Sequence, residues 1–219
     1  MTDDEGNSYS TVQIGGQCWM AESINIGTML TSGSSEPNTS DQVIEKWCHG
    51  NSPSNCEDYG GLYNWNEAMR GSSVSGARGI CPSGWHVPTD AEYNTLEKTV
   101  IGVIDSSASQ YPCDLNTTGW QRCADDNGSS SGGTYGAGRS LQKVGTYGRD
   151  DLVGFKGLTS GYRHPVGSFS NLGSTLNLWS STPASASSAW RRGMLYSYSA
   201  INRAPGTMAF GFSVRCLKD

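Results

Sequence analysis

No stretch of about 18 or more consecutive apolar residues occurs in this chain, so no segment reads as a membrane-spanning helix. Charge is scarce: Asp, Glu, Lys and Arg make up 16% of 219 residues. Basic residues are outnumbered, 15 against 20, and the net charge of −5 excludes the basic footprint that nucleic-acid binding needs. Only 3 histidines are present and Cys-x-x-Cys spacing is missing, which argues against a zinc site. The opening MTDDEGNSYS is polar and acidic, unlike an export leader.

What the chain does hold is glycine (29), tryptophan (7) and tyrosine (10). That mixture predicts a loop-rich globular fold, because the aromatics supply apolar area to bury. The length fits one large β-rich domain or two small ones. Of the 7 cysteines, Cys48 and Cys56 bracket a turn-rich HGNSPSN, and Cys113 and Cys123 bracket DLNTTGWQR. Cys81 and Cys216 would then close a long loop, leaving Cys18 as a buried thiol. Three disulfides imply an oxidising compartment; reduced thiols in a cytosol stay open as the alternative.

Residues 8–14 alternate at period two up to Gly15-Gly16, a hairpin turn, with Gln17 to Ala21 as the return strand. Residues 31–42 read as a polar loop. Asn64, with Glu67 three residues on, caps a short helix. The clearest helix follows Pro88: Thr89 and Glu92 form a T-x-x-E capping box, Asp90 sits at the positive dipole end, and Tyr93, Leu96, Val100 and Val103 make one apolar face. Residues 124–138 read as an insertion loop, with a short helix at most over 138–144. From Phe155 onward the pattern is strand and turn.

Residues 178–219 have a distinct texture. Large rigid side chains (Trp179, Trp190, Arg192, Met194, Tyr196, Arg203, Phe212) alternate with small, chemically miscellaneous ones. This predicts fixed anchors with outward-facing positions between them, a surface for recognition.

Six ordered blocks carry a family likeness: QCWMAESINIG (17–27), YGGLYNWNEAM (59–69), GICPSGWHVPTDAEYNTLE (79–97), GLTSGYRHPVGSFSNLGS (157–174), LWSST (178–182) and GFSVRCLKD (211–219). Together they resemble the Fibrobacter succinogenes major paralogous domain, itself similar to the formylglycine-generating-enzyme type of C-type lectin fold. The resemblance implies one α+β domain over 1–219, with two main helices packed on a twisted, mostly antiparallel sheet and long loops. The Cys81–Cys216 link fits that fold. The C-terminal arrangement also resembles the variable proteins of diversity-generating retroelements, with a variable region at about 180–210 rewritten by adenine-directed mutagenesis.

The resemblance matches Trp190, Arg192, Met194, Tyr196, Ile201 and Arg203 to its fixed positions. Strand alternation over Trp190 to Ser197 then turns Trp190, Met194 and Tyr196 inward, with Arg192 on the same face requiring a carboxylate or carbonyl. Arg191, Gly193, Leu195 and Ser197 point outward. Ser185, Ser187 and Ser188 flank them on one side with Ala184. Ala204, Pro205, Gly206 and Thr207 flank them on the other, and Tyr198 and Asn202 complete the expected ligand surface.

Other motifs are weaker. Glu36-Pro37-Asn38 matches a lectin sugar-binding tripeptide but lies far from where that motif sits in the fold. Asp125-Asp126-Asn127-Gly128 and Asp150-Asp151 are oxygen-rich without calcium-loop spacing and read as turns. His86 reads as structural, and His49 and His164 sit in turns with no nucleophile beside them. Trp19, Trp65, Trp85, Trp179 and Trp190 read as core, Trp47 and Trp120 as exposed.

The expectation is a non-enzymatic, receptor-type binding protein without metal or cofactor. Its partner would be a protein or cell-surface ligand, and its setting extracellular, cell surface or virion, with cytoplasm as the alternative. The two competing functions are a cell-surface carbohydrate-binding or structural module and a formylglycine-generating-enzyme-like oxidase.

Overall fold

A hairpin forms where the period-two alternation and the Gly-Gly pair place it: β1 (Thr11–Ile14) and β2 (Gln17–Met20) run antiparallel with Ile14 opposite Gln17. Gly15 has φ +57°, and a Cβ there would stand 2.8 Å from Thr99 Cγ2. The turn therefore needs glycine for its backbone and for its neighbour. The computed structural model describes residues 1–33, 35–38, 42–104, 113–122, 136–143 and 151–219.

β3 (Thr28–Met29) and β4 (Glu45–Lys46) make a short parallel pair. α1 (Pro53–Tyr59) begins on a proline and stops at Gly60, φ +82°. α2 (Trp65–Ala68) is capped by Asn64, whose Oδ1 accepts the Glu67 amide at 2.8 Å. Then come β5 (Trp85–His86), α3 (Asp90–Ile104), β6 (Gly119–Arg122) and α4 (Ala137–Ser140). The last part is β7 (Tyr162–Arg163), β8 (Phe169–Ser170), β9 (Thr175–Ser185), β10 (Ser188–Leu195), β11 (Ile201–Thr207) and β12 (Leu217–Lys218).

Two four-stranded sheets organise these elements, β1-β2-β12-β5 and β6-β11-β10-β9, both antiparallel throughout. The architecture is α+β. Among the described residues α3 alone exceeds eight residues, where two main helices were expected. Gly60 ends α1, and positive φ at Arg70 and Gly71 turns the chain just beyond α2.

The capping box starts α3 as expected. The Thr89 amide donates to Glu92 Oε2 at 2.7 Å, and the Glu92 amide to Thr89 Oγ1 at 3.1 Å. Tyr93, Leu96, Val100 and Ile101 are buried, but Val103 is 61% exposed. Ten residues of helix carry Val103 about 80° around from Tyr93, to the edge of the apolar stripe. α3 lies between the two sheets: the Tyr93 ring is 5.2 Å from that of Trp19 on β2, and its hydroxyl donates to Trp179 O on β9 at 3.3 Å. Phe155, Leu141, Leu176, Leu178, Met194 and Ile201 close this core. A second core gathers Met20, Tyr63, Trp65, Trp85, Trp179, Phe212 and Val214.

Two disulfides join pairs of described residues. Cys48–Cys56 staples the start of α1, and Cys81–Cys216 spans 135 residues to tie the approach to β5 to that of β12. Both fit an oxidising compartment. The expected Cys113–Cys123 pair lies outside the described residues at Cys123, as do the 124–135 part of the insertion loop, Val144, Asp150 and the Asp125–Gly128 cluster. Cys18 is free but only half-buried: on the face of β2 opposite Trp19, it packs at the rim of the second core. Trp47, expected exposed, is fully buried beneath the Arg163 guanidinium, 3.9 Å from its ring centre. Glu36 ion-pairs with that arginine, which gives the EPN tripeptide a structural place.

Candidate functional site

Strand alternation gives the β9–β10–β11 layer two faces of opposite character. Arg192 lies opposite Leu178 and Arg203, while Arg191 lies opposite Trp179 and Ala204. The Arg192 face turns toward α3. Arg192 Nη1 donates to Asp90 Oδ1 at 2.6 Å, its Nε bonds Glu97, and Arg203 Nη2 reaches Asp90 Oδ2 at 2.6 Å. The Arg203 guanidinium also lies 3.5 Å from the Trp190 ring centre. Burial alone would raise the Asp90 carboxyl pKa, but Arg203 and Arg192 outweigh it and hold the group below its ordinary value. The carboxylate that Arg192 was expected to need is thus supplied twice, from the first two turns of α3.

The opposite face is the floor of a cleft of about 390 Å³. Asn177, Gly193 and Asn202 make one row across it, because Gly193 pairs with both asparagines. Arg191 sits beside that row, and its Nη1 donates to Asn177 Oδ1 at 2.7 Å. Glycine at 193 permits this: a Cβ would stand 2.7 Å from the Arg191 Nη1. The wall is a run of rings climbing from the core. Trp179 meets Phe212 at 4.5 Å, Phe212 stacks on Phe210 at 5.4 Å, and Phe210 meets His164 at 5.5 Å and Tyr162 at 6.0 Å. Aromatic walls over a floor with a few polar groups make a small-ligand site.

The twelve expected surface positions divide into groups. Arg191, Asn202, Pro205 and Gly206 line the cleft, and Gly193 lies beneath Arg191. Ser185 and Ser187 are exposed at the β9–β10 turn, with Ser188 half-buried behind them. Leu195, Ser197 and Tyr198 sit at the other end of the sheet, where Ser197 is exposed. Ala204 is half-buried.

The expectation that Arg191, Gly193, Leu195 and Ser197 stand out together toward water is corrected. Gly193, Asn202 and Gly206 are buried, since the aromatic wall covers this face. β10 ends at Leu195, so Tyr196 and Ser197 belong to the following turn and alternation no longer orders them. Trp190 and Tyr196 are half-buried rather than enclosed, while Met194 is buried.

Sequence reasoning missed Tyr162, His164, Asn171, Thr175, Asn177, Phe210 and Phe212 as cleft residues. The available signal was the pair of glycine-flanked aromatic runs, GYRHP and FGF. Their approach to β10 is a tertiary fact.

His86, His49 and Cys216 have partners outside the cleft. His86 places Nδ1 2.7 Å from Asp219 Oδ1 and Nε2 3.1 Å from Glu92 Oε1, and these carboxylates raise its pKa despite burial. His49 Nε2 faces Ser170 O at 3.2 Å, and burial lowers its pKa. Cys216 is buried and bonded to Cys81. A larger cavity of about 550 Å³ is bordered by charges of both signs, Glu22, Glu57, Asp58, Lys143 and Lys156, with the Tyr9 and Tyr59 rings. It lies away from the C-terminal sheet.

No curated protein and no solved structure matches the chain. One family model does, over residues 12–218, and those residues hold both four-stranded sheets except Thr11, the Cys48–Cys56 and Cys81–Cys216 bonds and the whole cleft. The chain belongs to the Fibrobacter succinogenes major domain family.

Proposed function

We propose that this protein is a non-enzymatic binding protein that seats its ligand in the cleft on the β9–β10–β11 sheet. The observation that carries this reading is the split of that sheet. One face is locked to α3 by buried ion pairs, and the other presents Arg191 and the Asn177–Asn202 row beneath an aromatic wall. A rigid support under an adaptable polar floor is a recognition design. The α+β architecture and the Cys81–Cys216 bond support a C-type lectin-like fold for it.

Diversification by a retroelement is the finer part of the reading. The exposed positions Ala184, Ser185, Ser187, Ser197, Pro205 and Thr207 are open to replacement. At Gly193 and Gly206 a side chain would enter the cleft: a Cβ would stand 2.7 Å from Arg191 Nη1 at the first and 3.0 Å from Phe212 at the second, so replacement there requires those side chains to shift. A near-copy of the coding DNA for about residues 180–210 beside a reverse-transcriptase gene supports diversification; absence of a copy ends it and leaves binding untouched.

The test of the cleft is a fragment and glycan screen read by ¹H–¹⁵N amide shifts on the full chain. Hits should cluster at residues 177, 191–193 and 202–206, and Gly206→Val, which fills the cleft, should remove them. Hits that map consistently elsewhere overturn the assignment.

A further inference from the structure

Arg191 carries the charge in the cleft that the chain leaves uncompensated. Arg70, Arg78, Arg163, Arg192 and Arg203 each reach a carboxylate. Among the described residues Arg191 does not. Its hydrogen-bond partner is the neutral Asn177 oxygen, and its guanidinium lies 5.6 Å from the Phe212 ring centre. A guanidinium remains ionised, so shielding it from water beside a ring and an amide has a cost that an incoming anion would relieve. Burial lowers the Arg191 pKa, the sign of that same cost.

Two further groups are unspent. Asn202 is 8% exposed and Thr175 9% exposed, and Asn202 Oδ1 and Thr175 Oγ1 are buried without a hydrogen-bond partner among the described residues. Both residues line the cleft on the same sheet face as Arg191. A buried polar atom without a partner costs roughly 1–3 kcal/mol, which a ligand hydroxyl could recover. Beside them stand the Phe210 and Tyr162 rings, flat surfaces for the C–H face of a sugar. A cleft of about 390 Å³ falls near the lower end of the range for small-ligand sites, roughly 300–1,000 Å³. That size suits one or two sugar rings.

Resting on the cleft as the binding site, we infer that its ligand is a sugar acid. The carboxylate docks on the Arg191 fork, ring hydroxyls meet Asn202 and Thr175, and the ring lies against Phe210 and Tyr162. Arg191 is held for this role by Gly193, which leaves room for its guanidinium over the floor. The net charge of −5 supplies no general attraction for anions, so selectivity has to come from this local fork.

The experiment is an amide-shift titration of the full chain with glucuronate and galacturonate, against glucose and galactose, at fixed salt. Uronates should shift residues 191–193 and 202–206 and bind about tenfold or more tighter than the neutral sugars. Arg191→Gln should erase that preference. Gly193→Ala, which displaces the fork but keeps the charge, should weaken uronates with little effect on neutral sugars. Equal affinity for neutral and acidic sugars, or full uronate binding by Arg191→Gln, overturns the inference. So does an N-acetyl-aspartyl peptide that binds where uronates do not. If uronates fail while screening fragments still map to the cleft, the sugar-acid inference falls and the binding site stands. If nothing maps there, both fall.

Discussion

Asp90→Asn should uncouple the ligand-facing sheet from its helical support. Asp90 and Glu97 balance Arg192 and Arg203, and all are buried, with Asp90 6% exposed. The substitution keeps the side-chain shape and removes one negative charge, leaving two guanidinium groups with one carboxylate. Removing one partner of a buried ion pair costs about 3–5 kcal/mol. For a chain of this length that lowers the melting temperature by roughly 10 °C. Urea unfolding at neutral pH with disulfides intact measures it, with unchanged m-value as the check that both states are comparable.

The pH dependence supplies a second readout. The folded pKa of Asp90 is depressed, so its contribution is complete above the unfolded value of about 3.8 and disappears as pH falls through the folded value. The difference between parent and variant should therefore shrink in acid below about pH 4. Combining Asp90→Asn with Arg203→Gln should cost less than the two changes summed, by at least about 1 kcal/mol. A cost below about 1 kcal/mol for Asp90→Asn, with no coupling, would refute the view that these ion pairs hold the sheet.

The His86 pKa is raised, so its pairing with Glu92 and Asp219 contributes fully below about pH 6.5 and is lost as pH rises through the folded value. His86→Gln should flatten the melting-temperature profile between pH 6 and pH 9; an unaltered profile counts against the assignment. Replacing Cys81 and Cys216 together by serine should cost about 2–5 kcal/mol, read as a lower denaturant midpoint, since the bond closes a span of 135 residues. Ser185→Ala and Ser187→Ala should each change stability by less than about 0.5 kcal/mol, because both side chains are exposed at the hairpin tip. A larger loss there would mean the tip has a structural role.

Local chemistry was legible where it acts locally. The Thr89–Glu92 box, the Asn64 cap, the Gly15-Gly16 turn and the Cys48–Cys56 bridge each depend on residues close in sequence, and each is formed. The two-faced alternation of β10 was also readable up to Leu195. What covers each face was not. Asp90 and Glu97 look like ordinary helix carboxylates until two adjacent strands about a hundred positions later each deliver an arginine to them. Likewise, the outward face is a floor instead of an open surface because Tyr162 from one segment and Phe210 and Phe212 from another stand over it. Trp47 shows the same limit: it lies outside the six family blocks and reads as exposed, while Arg163 covers it from far along the chain.

Placement of β12 has a consequence for how the chain acquires its shape. This strand sits inside the first sheet, hydrogen-bonded to β2 on one side and β5 on the other. Until residues 217 and 218 have emerged from the ribosome, β2 and β5 each offer an unfilled edge, open to pairing with a neighbouring nascent chain. Completion of this sheet therefore waits on contacts between segments about 130 to 200 positions apart in sequence, the long-range kind that slows folding.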